Sequence, residues 1–393
     1  MTAHFNAKKK KDPYKIFVRI TIAIAAIALV SLGVFFVCNM LVDSEYNGIV
    51  DRIYQQNIAD EQAFNLELAA MRENAAQTVP TTDVSTMPEL ESWAATLEGV
   101  NWRIEDEGSA GLENTNTVTI NNTTLCEGGL MLVNAWHPLP AYFDITNLVG
   151  IGSASGWKIP VTDSTVQIFP DALAALQAMY ADATTAGMAN YIVREGFRSN
   201  ERQTELFNAQ MDKLSSKYSG TILTEEAKKT VNFPGTSEYQ TGLSFRMGLY
   251  NKEDPAVAKQ SFQETPQGAW FADNCWKYGV IFRFPSADYP SPSWEDKSYK
   301  TGVSMHLDLY RYVGKPHAAA MKILGYCLEE YVDFLMTHPH ISIYENDVLR
   351  YEIVRINVTE QSAYDLPITS LSSNYVASID NMGGIVMAYT YGF

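Results

Sequence analysis

Pro234-Gly235-Thr236-Ser237-Glu238-Tyr239-Gln240-Thr241-Gly242-Leu243-Ser244-Phe245-Arg246 is the stretch whose reading decides the fold. Pro234, Gly235 and Gly242 frame a turn, because Pro pre-sets φ and Gly tolerates positive φ. Two side chains in the stretch limit its chemistry. Tyr239 is an oxygen ligand for a metal only when ionised, and Arg246 is a fixed positive charge.

Around this stretch lie 393 residues, 46% hydrophobic and 19% charged, enough for one sizeable folded domain with appendages. The net charge of −16 is uneven: residues 1–19 carry +5 and the remainder −21. An acidic body excludes nucleic-acid binding, which needs a basic surface. Of four cysteines, Cys38 sits in an apolar run. Cys126, Cys275 and Cys327 have neither metal-site nor disulfide-framework spacing and are read as free buried thiols.

Ile20 to Val42 is 23 residues without a charge. As a helix it would be about 34 Å long, against a hydrocarbon core of about 30 Å. The basic tail before it, and Asp43 and Glu45 after it, predict a single-pass anchor in the cell membrane. Residues 1–19 are then cytoplasmic and the main domain is extracytoplasmic. The competing reading is a cleaved signal peptide, whose apolar region is about 7–15 residues and ends in a small-x-small site. This run ends Phe-Val-Cys-Asn-Met-Leu-Val. Residues 43–88 read as a helical stalk and a Thr/Ser/Pro-rich linker. Residues 89–127 read as an accessory β segment, with Trp102-Arg103-Ile104 and Thr117-Val118-Thr119-Ile120 expected to form a hairpin.

Downstream, Pro170-Asp171 opens a helix with Leu173, Leu176, Met179 and Tyr180 on one face. Tyr191-Ile192-Val193 reads as a buried strand, followed by Gly196-Phe197-Arg198-Ser199 and Gln203. The run Trp270 to Pro285 reads as a helix entering a strand. Thr301-Gly302, Arg311-Tyr312-Val313-Gly314 and a last helix at Leu328-Glu329-Glu330-Tyr331 follow. These motifs, with the opening stretch, resemble in order and spacing the VanY-type D-alanyl-D-alanine carboxypeptidases, over about residues 128–337. The resemblance implies an α+β fold with an antiparallel sheet and helices. It also implies a pocket for peptidoglycan stem peptides in which Arg198, with Gln203 and Ser237, meets the substrate and its carboxylate.

The family's zinc segment is Ser-x-His-x-x-Gly-x-Ala-x-Asp, and its second motif is Glu-x-x-His. Aligned on these, the His and Asp positions hold Tyr239 and Arg246. The Glu position holds His306 and the final His position holds Leu309. A catalytic zinc needs about three protein ligands and an open position, so no zinc cofactor and no confident catalytic residue is expected. The leading expectation is a pseudopeptidase that binds stem peptide or a cell-wall partner, with the lipid bilayer contacted through residues 20–42. One alternative is an active peptidase whose metal is displaced to His306 and Asp308, with Glu238 or His137 nearby. Another is a scaffold in a wall-synthesis or division complex. If the site is only repacked, His306, Asp308 and Arg246 hydrogen-bond with one another. Residues 338–393 read as a β-rich extension, with turns at Glu345-Asn346-Asp347 and Asp380 to Gly384.

Overall fold

The computed structural model describes residues 91–392, apart from Ser109 and residues 304–307. The basic tail, the apolar run 20–42, the stalk and His306 lie outside the described residues. Among the described residues, no helix is long and apolar enough to cross a membrane. The fold below is that of the compact unit formed by residues 86–217 and 225–393.

A four-stranded antiparallel sheet carries the site. Its strands run in the order Tyr191–Glu195, Ser244–Leu249, Leu309–Tyr312, Val280–Phe282. Successive side chains alternate between its two faces. Val193, Phe245, Met247, Phe282 and Tyr310 enter one core with Leu173, Leu176 and Met179 of helix Pro170–Thr185 and Phe271 of helix Pro266–Asn274. Ser244, Arg246, Leu309 and Arg311 belong to the opposite face. There Ser244 pairs with Arg311 and Arg246 with Leu309 across the ladder.

The helices begin where local chemistry dictates. Pro170 occupies the first turn of its helix, where a missing N–H costs nothing. Ser199 caps helix Asn200–Leu214, its Oγ accepting the Arg202 N–H at 3.1 Å.

A second, six-stranded antiparallel sheet runs in the order Ser92–Leu97, Val100–Asp106, His340–Glu345, Val348–Asn357, Gly384–Thr390, Tyr375–Ile379. Ile104, Ile341, Ile353 and Val386 pack against helices Lys315–Leu324 and Leu328–Thr337. Ile379, Ile385, Met387 and Tyr389 pack with Leu125, Met131, Val133 and the ribbon made by Thr115–Asn121 and Ala363–Thr369.

This arrangement corrects the accessory-hairpin expectation. Trp102-Arg103-Ile104 pairs with Ser92–Leu97 on one side and with His340–Glu345 on the other. Thr117 to Ile120 pairs instead with Tyr364 to Pro367. An isolated two-stranded hairpin is marginal in water. Here each early run gains a partner strand from the tail and a buried face. The strands between Ser92 and Asn121 and those between His340 and Thr390 therefore build one layered β structure rather than two separate appendages. The two expected tail hairpins are present. Asn346 and Asp347 have φ of 47° and 66°, the double positive φ that suits tight hairpins. Cys126, Cys275 and Cys327 are buried free thiols, and burial pushes each up to about 12.

Candidate functional site

Within the stretch Pro234 to Arg246, Ser244 begins a strand, and before it Glu238–Thr241 form one turn of 3-10 helix ended by Gly242 at φ 72°. A side chain there would be strained by φ and would also crowd Phe169 at 2.9 Å. The turn delivers Glu238 and Tyr239 to the sheet face that carries Ser244, Arg246, Leu309 and Arg311.

Glu238 goes inward and is 4% exposed. Its Oε1 accepts from Ser244 Oγ at 2.7 Å and from an Arg311 terminal nitrogen. Its Oε2 accepts from Arg283 Nε at 2.9 Å. Arg283 then forks onto Glu329 at 3.0 and 2.7 Å, and Asn134 donates to the same carboxylate at 3.1 Å. The other terminal nitrogen of Arg311 donates to the carbonyls of Gly129 and Met131, each at 2.9 Å. Arg283 and Arg311 are wholly buried. Two guanidinium groups face two carboxylates, so the network is neutral and its polar atoms are satisfied. Burial alone would push the Glu238 carboxyl up, but Arg311 and Arg283 outweigh it and hold it below the usual range.

Beside this network lies the layer where the metal positions were expected. Tyr239 is 6% exposed and packs with Leu309 and Phe284. Burial, then the neighbouring Glu195, pushes its phenol well above the usual range, so it is neutral at ordinary pH. The Arg198 guanidinium lies 4.1 Å from the centre of the Tyr239 ring, a cation–π stack. Arg198 donates through Nε to Glu195 at 2.8 Å, and one terminal nitrogen lies 2.6 Å from the same oxygen as an ion pair. Its other terminal nitrogen donates to Gln203 at 2.8 Å, and Gln203 donates to the Asn232 carbonyl at 2.6 Å. Arg246 donates from Nε to Asp308 at 2.8 Å. Burial would lower the Arg246 pKa, but Asp308 outweighs it and raises it. The Ser237 Oγ is buried and has no hydrogen-bond partner among the described residues.

The structure thus gathers Arg198, Gln203, Tyr239, Arg246 and Leu309 around one sheet face, with Ser237 at the start of the turn. It ties Arg246 to Asp308, as the repacked-site alternative has it, while His306 lies outside the described residues. Glu238 and His137, weighed as replacement ligands, are engaged elsewhere: Glu238 in the arginine network, His137 through Nδ1 with Asn134 Oδ1 at 2.9 Å. The buried network itself escaped the sequence reading. A signal for it exists in Phe282-Arg283-Phe284 and Tyr310-Arg311-Tyr312, where an arginine interrupts an apolar strand and needs a buried counter-charge. The bond between Glu195 and Arg198, by contrast, has no signal in the motifs read from the sequence.

Zinc takes thiolate, neutral imidazole or carboxylate ligands. Position 239 offers a buried neutral phenol, position 309 a hydrocarbon, and position 246 a guanidinium already bonded to a carboxylate. This donor set does not fit the ion. Among the described residues, no group of three or more His, Cys, Asp or Glu side chains is placed to hold a metal.

Two cavities border these side chains. One of about 560 Å³ is lined by Phe197, Arg198, Asn200 and Gln240 with Leu139 and Phe143. The other, about 450 Å³, is lined by Arg246 and Asp308 with Arg194 and Lys259.

The family model described as VanY, D-alanyl-D-alanine carboxypeptidase, matches residues 165–315. A D-alanyl-D-alanine carboxypeptidase of Enterococcus faecium is 28% identical over 285 residues, 72% of this chain and 81% of that protein. The bifunctional D-Ala-D-Ala dipeptidase and D-Ala-D-Ala carboxypeptidase VanXYC of Enterococcus gallinarum is 29% identical over 207 residues, 52% of this chain and 94% of that protein. Among solved structures, the vancomycin-resistance D,D-dipeptidase VanXYg, in complex with a D-Ala-D-Ala phosphinate analog, superposes with a TM-score of 0.52 at 23% identity. That match covers 72% of this chain and all of the other, and it bears on fold alone. Residues 165–315 thus resemble the VanY-type D-alanyl-D-alanine carboxypeptidases in sequence, and the chain shares a mixture of helices and antiparallel sheets with a solved structure of that kind.

Proposed function

We propose that this protein is a non-hydrolytic member of the VanY-type carboxypeptidase family, held at the membrane by residues 20–42, that binds the ends of peptidoglycan stem peptides outside the cell. One observation carries the reading. Arg246, paired with Asp308, stands directly across the ladder from Leu309, which packs on a neutral Tyr239. A dication there would meet a fixed positive charge and lack the lone pairs it needs. With no metal-bound water there is no nucleophile of the family's kind, so the site binds and does not cut.

Arg198 is the group suited to a peptide's terminal carboxylate. Its planar fork gives two parallel hydrogen bonds, and the Tyr239 ring beneath it keeps the plane oriented. One carboxylate oxygen of Glu195 takes up that edge of the guanidinium. A peptide carboxylate binds by exchanging with Glu195, whose side chain is 32% exposed and can swing away. Charge-assisted hydrogen bonds are worth about 1.5–3 kcal/mol, and about 1.4 kcal/mol is tenfold in affinity. A pentapeptide ending in D-Ala-D-Ala, titrated calorimetrically into the full-length chain with chelator present, is expected to bind. Arg198→Ala is expected to weaken it by roughly ten- to hundredfold, and Glu195→Ser to tighten it by removing the internal competitor. Unchanged affinity in a folded Arg198→Ala protein would sink the assignment. No binding by the wild-type chain would favour the scaffold reading instead.

A further inference from the structure

We propose that the cavity beside Arg246 is a binding site for a phosphate monoester dianion, separate from the Arg198 pocket and not dependent on the reading given above. The cavity, about 450 Å³, is lined by Arg194, Arg246 and Lys259 against a single carboxylate, Asp308, with Ser261 and Gln263 adding a hydroxyl and an amide. Gathering three cations is unfavourable unless something compensates them, and a cleft dominated by one sign concentrates ions of the other.

Their existing bonds leave that compensation incomplete. Arg194 donates to backbone carbonyls, those of Ala258 at 2.9 Å and Leu249 at 3.4 Å. Arg246 meets Asp308 through Nε. Lys259 is exposed at the rim.

The floor of the cavity is shaped for this arrangement. Gly248 lies on the strand next to Arg194, and a Cβ there would sit 2.0 Å from Arg194 Nε. Glycine at 248 therefore lets the guanidinium lie flat across the strand.

Among the lining side chains, three cations less Asp308 leave two positive charges; Glu195, across the ladder from Arg246, is already matched by Arg198. A phosphate monoester carries about −1.5 to −2 at pH 7 and three strong acceptor oxygens, whereas a carboxylate ligand brings one charge and two. Arg and Lys donors suit phosphoryl oxygens chemically, and Ser261 and Gln263 add neutral donors to the lining.

The test is calorimetric titration of the full-length chain with phenyl phosphate, and with benzoate as the monoanion of similar shape, at fixed ionic strength. Phenyl phosphate is expected to saturate at one site and benzoate to bind at least tenfold more weakly. Affinity for phenyl phosphate is expected to rise as pH passes about 6, where the second phosphate proton leaves. Arg194→Gln should weaken it tenfold or more. Lys259→Gln, at an exposed position that cannot compromise folding, should weaken it severalfold. Asp308→Asn should tighten it, because the competing carboxylate is gone. Arg198→Ala should leave it unchanged while losing the stem peptide, which separates failure of this site from failure of the peptide reading. Equal binding of benzoate, a flat pH profile, no gain in Asp308→Asn or no saturable binding would each overturn the proposal.

Discussion

Glu238→Gln is expected to destabilise the domain by about 3–5 kcal/mol, the usual cost of removing one partner from a buried ion pair. Glu238 is the carboxylate shared by Arg283 and Arg311, both wholly buried. Glutamine keeps the volume and loses the charge, so a guanidinium is left without compensation in a low-dielectric interior. Domains of this kind are stable by about 5–15 kcal/mol, so the change consumes much of the margin. Urea denaturation followed by circular dichroism reads it as a large fall in midpoint at unchanged slope. Adding Arg311→Met to Glu238→Gln should recover part of the loss, because the network becomes neutral again. A single-variant loss below about 1 kcal/mol, the size of one ordinary hydrogen bond, would show that the network does not hold the turn in place.

The second large effect concerns the metal positions. The triple variant Tyr239→His, Arg246→Asp, Leu309→His is expected to retain one zinc per chain after dialysis, where the wild-type chain retains none. The geometry supports it: residues 246 and 309 are direct partners across the ladder, and residue 239 packs on residue 309. The change removes the guanidinium, supplies two imidazoles and a carboxylate, and leaves the backbone frame set by Gly242 intact. Metal content of the purified variant decides the matter. A variant that folds but stays metal-free would mean that the frame, and not only the side chains, has departed from the family's geometry.

Much of the site-bearing layer was legible because its signals are local. Pro170 at a helix start, Ser199 at a cap and Gly242 at a positive φ each act through their own neighbours. The apolar run Tyr191 to Val193 likewise marks a buried strand. What the chain hides is pairing at long range. The strand at Trp102 finds its partner near residue 343, and nothing in either run encodes the other beyond a shared apolar face. The same holds for charges. Arg246 and Asp308 are 62 positions apart, and Glu238 meets Arg283 and Arg311 from 45 and 73 positions away. Glu195 and Arg198 are near in sequence, but they sit on a strand end and the following turn, where spacing does not bring side chains together as it does on a helix.

The central claim is that this VanY-like chain binds without cutting. The most direct test is D-alanine release from a stem pentapeptide ending in D-Ala-D-Ala, incubated with the full-length wild-type chain and added zinc, with and without chelator. The account predicts no release above the uncatalysed background in either condition. Zinc-dependent release, abolished by chelator, would contradict it.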